Sequence, residues 1–469
     1  MNLPPASVWA FALSLLLIPS HQNGGAPKRS GTLQAQDSLK GSVRNLREFG
    51  KAGLGGDDTP VFRRALGEAN RQGRALQIPA ARGPYRISPL YLPSKTTLLL
   101  DSGVTIQALP GFTDGQRLLN IVDASVVQII GYGAFLKMNR AEYKSGEYRD
   151  CLSIKGSSLV AIKGVTCLSP GGDGVYVGAS EKKPFSEDVT IEDVRVENSL
   201  RAGLEVVSAR NLAVRRSHFV NSHRSEKSEP RMPVVDKASG IVLMPGGAGA
   251  RLDNIRLEEN ATSHTEGDGL RVVLSRLTAS SPPVSVTVVG HHDSAAGGSS
   301  FLGIDGPPSG RAVRGHFLFE DCVSESAQEY GAVFSFWDSA GARVTFRGLT
   351  VIDPDGSGST MDNAAVAVKR GGGGHEPIGN VEFARTTIRD TRHPPKIDYY
   401  FSFADYSHVG MQNVIFRDPV QLTGARHKQP LGLYQSQGVG AIQRADDPAL
   451  RALWLAAEKA ESAVGQQKR

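Results

Sequence analysis

The sequence predicts an all-β solenoid: a coil of parallel strands closed at its start by a capping helix and followed by a C-terminal helix. Three observations carry this. Short strands of one form recur after a small residue: "CLSI", "GVYV", "GLEV", "GIVL" and "GLRV", with first strand residues Leu152, Val175, Leu204, Ile241 and Leu270. They return at unequal intervals of about 20 to 40 residues with no helix pattern between them, the signature of a repeat architecture. A second strand follows most of them: "LVAIKGVTC", "VTIEDVRVEN", "LAVRRSHFVN" and "IRLEENATSH". Aligned, these put Val160, Val189, Leu212 and Ile255 together, and Cys167 with Val196 and Phe219. Unequal spacing is awkward for propeller blades, and no WD or kelch signature is present. It suits a coil whose corners accept insertions, because each rung touches only its neighbours.

The elements follow in order. Residues 1–26 carry an apolar core from Val8 to Ile18, too short to span a bilayer comfortably and suited to an export signal. A secreted or periplasmic protein is expected. Residues 27–42 are polar and read as a linker. The coil is expected over 43–425. It opens with "GDDTPVFRRALGEANRQG", a helix with Thr59 as N-cap, Pro60 at the first helical position, and Phe62, Ala65, Leu66 and Ala69 on one face. Short strands follow in "ALQIPA", "YRISPLYLP" and "KTTLLLDSGVTIQA"; later units such as "GAVFSF", "AAVAVK" and "YYFSF" are looser. The tail 426–469 holds an amphipathic helix in "DDPALRALWLAAEKAESAVGQQKR".

Of 469 residues, 40% are hydrophobic, enough for a sizeable core. The formal net charge of +6 suits an anionic partner. No Arg/Lys cluster is interleaved with aromatics, which argues against nucleic acid. The three cysteines have no metal-ligand spacing. Cys167 and Cys322 fall at apolar positions. Cys151 aligns with corner glycines, so no Cys151–Cys167 disulfide is expected. A monomer is expected.

The opening "VRNLREFGKAGLGGDDTPVFRRALGEANRQGRALQIPAARGPYRI" and the rungs "GGDGVYVG", "NSLRAGLEVVSARNLAV" and "ASGIVLMPGG" resemble the pectate-lyase-like, rhamnogalacturonase and epimerase superfamily over about Val43 to Asp418. The resemblance implies a right-handed parallel β-helix that acts on polysaccharides. Its motifs are specific for the fold and poor at naming a reaction.

Strand alternation turns the middle residue of each first strand away from the core. This gives an outward ladder of Ser153, Tyr176, Glu205, Val242 and Arg271, the face on which such helices bind sugar. Before it runs a corner ladder of Asp173, Ala202, Ser239 and Asp268, with Arg201 alongside. The insertion from Asn221 to Lys237 walls the face, bringing His223, Arg224 and Lys237. Asp173, Glu205, Arg201 and Asp268 are the catalytic candidates. Tyr176, Arg271, His223, Arg224 and Lys237 are the substrate-binding candidates. Each has a plainer reading: Asp173 and Asp268 sit in Gly-Asp-Gly turns, and Glu205 can simply be an exposed strand residue. Asn198 and Asn221 align as an asparagine ladder.

Glycoside hydrolysis needs two carboxyl groups. The polygalacturonase branch carries an Asn-Thr-Asp-Gly turn where this chain has "SPGGDGVYV", which matches Asp173 to its aspartate. Its next rung carries an aspartate pair where this chain reads Arg201-Ala202, and its later Gly-His-Gly and Arg-Ile-Lys motifs are missing. Asp173 with Glu205 forms a substitute pair, expected at roughly 6 to 9 Å, the range for an inverting enzyme. Lyase chemistry instead needs a base and positive charge, which Arg201, Lys237 and Arg271 supply, and leaves a Ca²⁺ site open. Val242 and Met244 stand where many relatives carry acids. That departure keeps a non-catalytic carbohydrate-binding or surface protein as the alternative.

Overall fold

The computed structural model describes residues 43–444, apart from 144, 224–237, 296–301, 307–311, 336, 356–362, 371–376, 406–409, 418–420, 427–430 and 435–441. The expected signal segment, the linker and the tail helix lie outside the described residues. Twelve first strands, from Leu90–Tyr91 to Leu431–Tyr434, stack as one parallel sheet, and the remaining strands form a second, 24-stranded sheet system. A typical coil runs Val175–Gly178, Ser186–Glu192, Arg195–Glu197, and then enters the next first strand, Leu204–Val206.

The inward register is the one the repeat predicts. Leu152 faces Val175, Val175 faces Leu204, Leu204 faces Ile241, and Ile241 faces Leu270. Val160, Val189, Leu212 and Ile255 stack likewise, as do Cys167, Val196 and Phe219. All are buried. Pairing continues past residue 425, where Leu431–Tyr434 joins Tyr399–Asp405 and Ile442–Arg444 joins Met411–Arg417.

Single left-handed residues make the corners. Asp193, Arg216 and Glu259 turn the chain after the second strand, at φ of 54°, 45° and 53°. Asn198, Asn221 and His264 do so after the third, at 60°, 55° and 53°. Asn, Asp and His are enriched in this region, whereas Arg and Glu adopt it at a cost of roughly 1 kcal/mol. Stacking therefore imposes the corner on whichever residue occupies it. Asn198 and Asn221 share a corner as expected, but the side-chain ladder lies elsewhere. Asn211 Nδ2 donates to Asp188 at 2.9 Å, and Asn254 Nδ2 donates to Asn211 at 3.0 Å.

The helix α1 spans Thr59–Arg71 and buries Phe62, Ala65, Leu66 and Ala69. Thr59 lies inside it and Asp58 takes the N-cap place without a capping side-chain bond. The Asp58 carboxylate instead accepts from Gly53 N and Arg86 N, both at 3.0 Å, tying the helix entry to the first coils. Phe62 packs edge-on against Tyr85.

Cys151, Cys167 and Cys322 are buried free thiols. The corner alignment of Cys151 misjudged its direction. Its Sγ points inward, donates to Leu136 O at 3.3 Å and lies within hydrogen-bonding reach of Cys167.

Candidate functional site

Backbone bonds set the corner ladder. Leu118 N donates to Asp150 O, Cys151 N to Asp173 O, Gly174 N to Ala202 O, Gly203 N to Ser239 O and Gly240 N to Asp268 O. The ladder therefore begins earlier than the repeat suggested, as Arg117, Asp150, Asp173, Ala202, Ser239, Asp268. Asp150 was missed, although it stands at the same offset from its strand as Asp173 and Asp268 from theirs.

Asp150 and Asp173 are buried. Each uses one oxygen for the corner: Asp150 Oδ1 accepts from Asp173 N at 3.1 Å, and Asp173 Oδ1 accepts from Ala202 N at 2.9 Å. The other oxygens point elsewhere. Asp150 Oδ2 takes the Arg117 guanidinium at 2.6 Å. Asp173 Oδ2 accepts no hydrogen bond from any donor among the described residues. It lies 3.6 Å from Arg201 Nη1. The Glu205 carboxyl is within hydrogen-bonding reach of Asp173.

Two carboxylates repel, and the Arg201 guanidinium beside both offsets that repulsion. Burial pushes Asp173 well above its ordinary value, and Glu205 adds to this against the pull of Arg201. Burial and the neighbouring Asp173 push Asp150 up to about 6, against Arg117. Arg201 forks onto Glu205, with Nη2 to Oε1 at 3.2 Å and Nη1 to Oε2 at 3.4 Å. Burial pulls its guanidinium down, but Asp173 and Glu205 together hold it above its ordinary value.

The outward ladder is as expected in register: Ser153, Tyr176, Glu205, Val242, Arg271. It is not the exposed face that alternation suggested. Ser153 and Glu205 are buried, and Tyr176 is half-buried. Lys155 Nζ and the Arg117 guanidinium lie over the Tyr176 ring, 5.1 and 5.9 Å from its centroid. Burial, then Glu205 and Asp150, push the Tyr176 hydroxyl up to about 12. The cover comes from an insertion upstream. Arg149 bridges to Gly171, the Tyr148 ring lies 5.0 Å from the Arg201 guanidinium, and Glu147 Oε2 stands 3.8 Å from Arg201 Nε.

The glycines of "SPGGDG" serve this cover. A Cβ on Gly171 would meet Tyr143 Cδ2 at 2.1 Å, and one on Gly172 would meet Asp150 Oδ1 at 2.5 Å and Arg149 N at 2.7 Å. Neither has a left-handed φ. Space, not turning freedom, is what demands glycine there.

Asp173, Glu205, Arg201 and Tyr176 thus come together, joined by Asp150, Arg117 and Lys155. Asp268 and Arg271 do not join them. They lie three rungs from Asp173 and Tyr176 and two from Glu205, about 14 and 10 Å at the usual strand spacing. There Arg271 Nη1 meets Asp268 Oδ2 at 2.8 Å and its Nη2 meets Asp305. His223 is tied to Arg140, which donates to its carbonyl and approaches its Nδ1 at 3.2 Å. Arg224 and Lys237 lie outside the described residues. Asp173 and Glu205 within hydrogen-bonding reach are closer than the expected inverting separation. Among the described residues no group of three or more His, Cys, Asp or Glu is placed to hold a metal ion. No described helix is long and apolar enough to cross a membrane.

Coil, corners and charged outward face define the class: a right-handed parallel β-helix protein. Residues 150–371 match the family described as the right handed beta helix region. No curated protein sequence matches the chain. Among solved structures, the Agl-KA catalytic domain is similar with a TM-score of 0.57 at 14% identity, over 86% of this chain and 68% of that one. A hyperthermoactive exopolygalacturonase from Thermotoga maritima gives 0.53 at 14% identity, over 82% and 96%. PfbA, a surface adhesin of Streptococcus pneumoniae, gives 0.51 at 11% identity, over 82% and 93%. At such identities the likeness is one of fold, and an enzyme and an adhesin share it alike.

Proposed function

We propose that this chain is a polysaccharide-cleaving enzyme, a glycoside hydrolase acting on an acidic polysaccharide. The observation that carries the reading is the Asp173–Glu205 pair, two carboxyls in contact beside one arginine. Burial that raises Asp173 well above the ordinary carboxyl range favours its protonated form, which is what a glycosidic oxygen needs when it leaves. Asp150, ionised above about pH 6 and held by Arg117, is the partner that activates water or attacks the sugar. Arg117, Arg201 and Lys155 supply the positive field an acidic chain requires. The apolar Val8–Ile18 core belongs to this reading as the export signal that delivers the protein to its substrate.

A second reading rests on burial. Asp173 and Glu205 are almost without solvent contact, as a purely structural ion network is, and this favours a non-catalytic carbohydrate-binding or surface role. Incubation with a panel of acidic and neutral polysaccharides separates the readings. New reducing ends without unsaturated product are expected. Unsaturated product means a lyase, and no product from any polysaccharide leaves the binding role. In an active preparation Asp173→Asn is expected to lose roughly a hundredfold in rate with little change in melting temperature. Early melting with unchanged specific activity would make Asp173 a corner residue alone.

A further inference from the structure

The Arg201 guanidinium uses its two terminal nitrogens on Glu205 and Asp173. Its Nε edge is different. The acidic atom that faces it is Glu147 Oε2 at 3.8 Å, an ion pair too long for a hydrogen bond. Arginine recognises a carboxylate best through two parallel N–H donors at hydrogen-bond length, and the approach of Glu147 to this edge falls short of that. Glu147 is 27% exposed at its side chain, and the adjacent Tyr148, whose ring covers the guanidinium, is 46% exposed. An exposed aromatic ring beside a cationic edge that lacks a carboxylate at hydrogen-bond length is the combination that receives a sugar carrying an acid group. The chain delivers Glu147 there because Gly171 and Gly172 leave room for residues 145–149 to pass directly over the corner.

We infer that Glu147 is an internal competitor: its carboxylate stands at the Arg201 edge in the place of a ligand carboxylate, and an anionic saccharide binds by displacing it. Residues 147–149 act as a strap over the Asp173–Glu205 pair, and the ligand's own charge opens it. Neutral saccharides lack the group that exchanges with Glu147, so the strap selects for acidic chains. The inference rests on the proposed function for the kind of ligand but not for any cleavage step.

Binding therefore tests it independently of activity. The probes are trigalacturonate and its methyl ester, titrated calorimetrically into full-length protein. Glu147→Gln keeps the shape of the strap and removes the competing charge. Glu142→Gln removes an equal charge from an exposed neighbour that makes no contact with Arg201, and so measures the general effect of charge. Trigalacturonate is expected to bind Glu147→Gln at least fivefold more tightly than wild type, with less than a twofold change for Glu142→Gln and for the methyl ester. Equal gains in both variants would reduce the effect to net charge and overturn the inference. So would unchanged affinity, or no binding of trigalacturonate to either protein. Tighter binding by Glu147→Gln in a protein that cleaves nothing would keep the inference and reject the hydrolase. Cleavage with unchanged binding would do the reverse.

Discussion

The central coils and the C-terminal coils share one backbone repeat and use it differently. From Arg117 to Glu205 the core is aliphatic, and the outward and corner ladders carry the charged side chains. Beyond Leu302 the outward ladder reads Gly303, Val333, Ala367, Ser402, without a charge. The inside there is aromatic: Phe319 stacks on Phe346 at 4.9 Å, Phe346 on Phe383 at 5.4 Å and Phe383 on Phe416 at 5.4 Å. Ring spacing close to the rung spacing lets each Phe sit offset on the next. Inward residues therefore propagate the coil in both regions, while outward residues are free to differ, so chemistry is confined to the few rungs where charge accumulates.

Substitutions in each region sharpen the contrast. The largest expected effect is Phe346→Ala, which opens a cavity between two stacked rings and costs about 3–5 kcal/mol. Denaturant unfolding checks it, and ligand binding at the central site should survive in the folded fraction. Arg201→Gln leaves two buried carboxyls without their cation and costs about 3 kcal/mol at pH 7. Denaturant unfolding checks this too, and a loss no larger than that of Arg417→Ala would mean that the two carboxyls do not need this cation.

Comparable in size is a gain. Asp293 points into the core, where Thr262 Oγ1 donates to Oδ1 at 2.6 Å and Oδ2 has no hydrogen-bond partner among the described residues. Burial pushes its carboxyl up to about 7. The folded value lies above the unfolded value of about 4, so the folded state holds a proton that the unfolded chain releases. Stability from this group is full below about pH 4 and falls away as pH rises to about 7. Asp293→Asn should therefore stabilise by about 3–4 kcal/mol at pH 8 and by nothing measurable at pH 4. The smallest effect belongs to Arg417, whose Nε meets Glu382 at 3.1 Å with the arginine 56% exposed. Arg417→Ala should cost less than about 1 kcal/mol, against the larger cost at the buried Arg201.

The coil was readable from sequence because its inward residues obey both a period of two and a longer repeat. Leu152, Val175, Leu204, Ile241 and Leu270 satisfy both, and their register follows. Asp150 was equally readable, since "DCLSI", "DGVYV" and "DGLRV" share an offset. A strand that opens with a cysteine hid the match. The burial of Glu205 was not readable. Alternation says which way a side chain points, not what lies above it, and the cover at 145–149 comes from an insertion outside the repeat. The close contact of Asp173 and Glu205 was beyond reach for the same reason: rung spacing bounds the distance between two Cα atoms, while an arginine from the same corner draws their carboxyls together.

The central claim is that burial, with Glu205 beside it, holds the Asp173 carboxyl well above the ordinary carboxylate range. An infrared pH titration tests it directly, through the carbonyl band of protonated carboxyl groups compared between wild type and Asp173→Asn. The wild type should show a component that persists above the pH at which ordinary carboxyl groups ionise and that is missing from Asp173→Asn. A comparison without such a component would contradict the claim and leave Asp173 an ordinary carboxylate in a structural ion network.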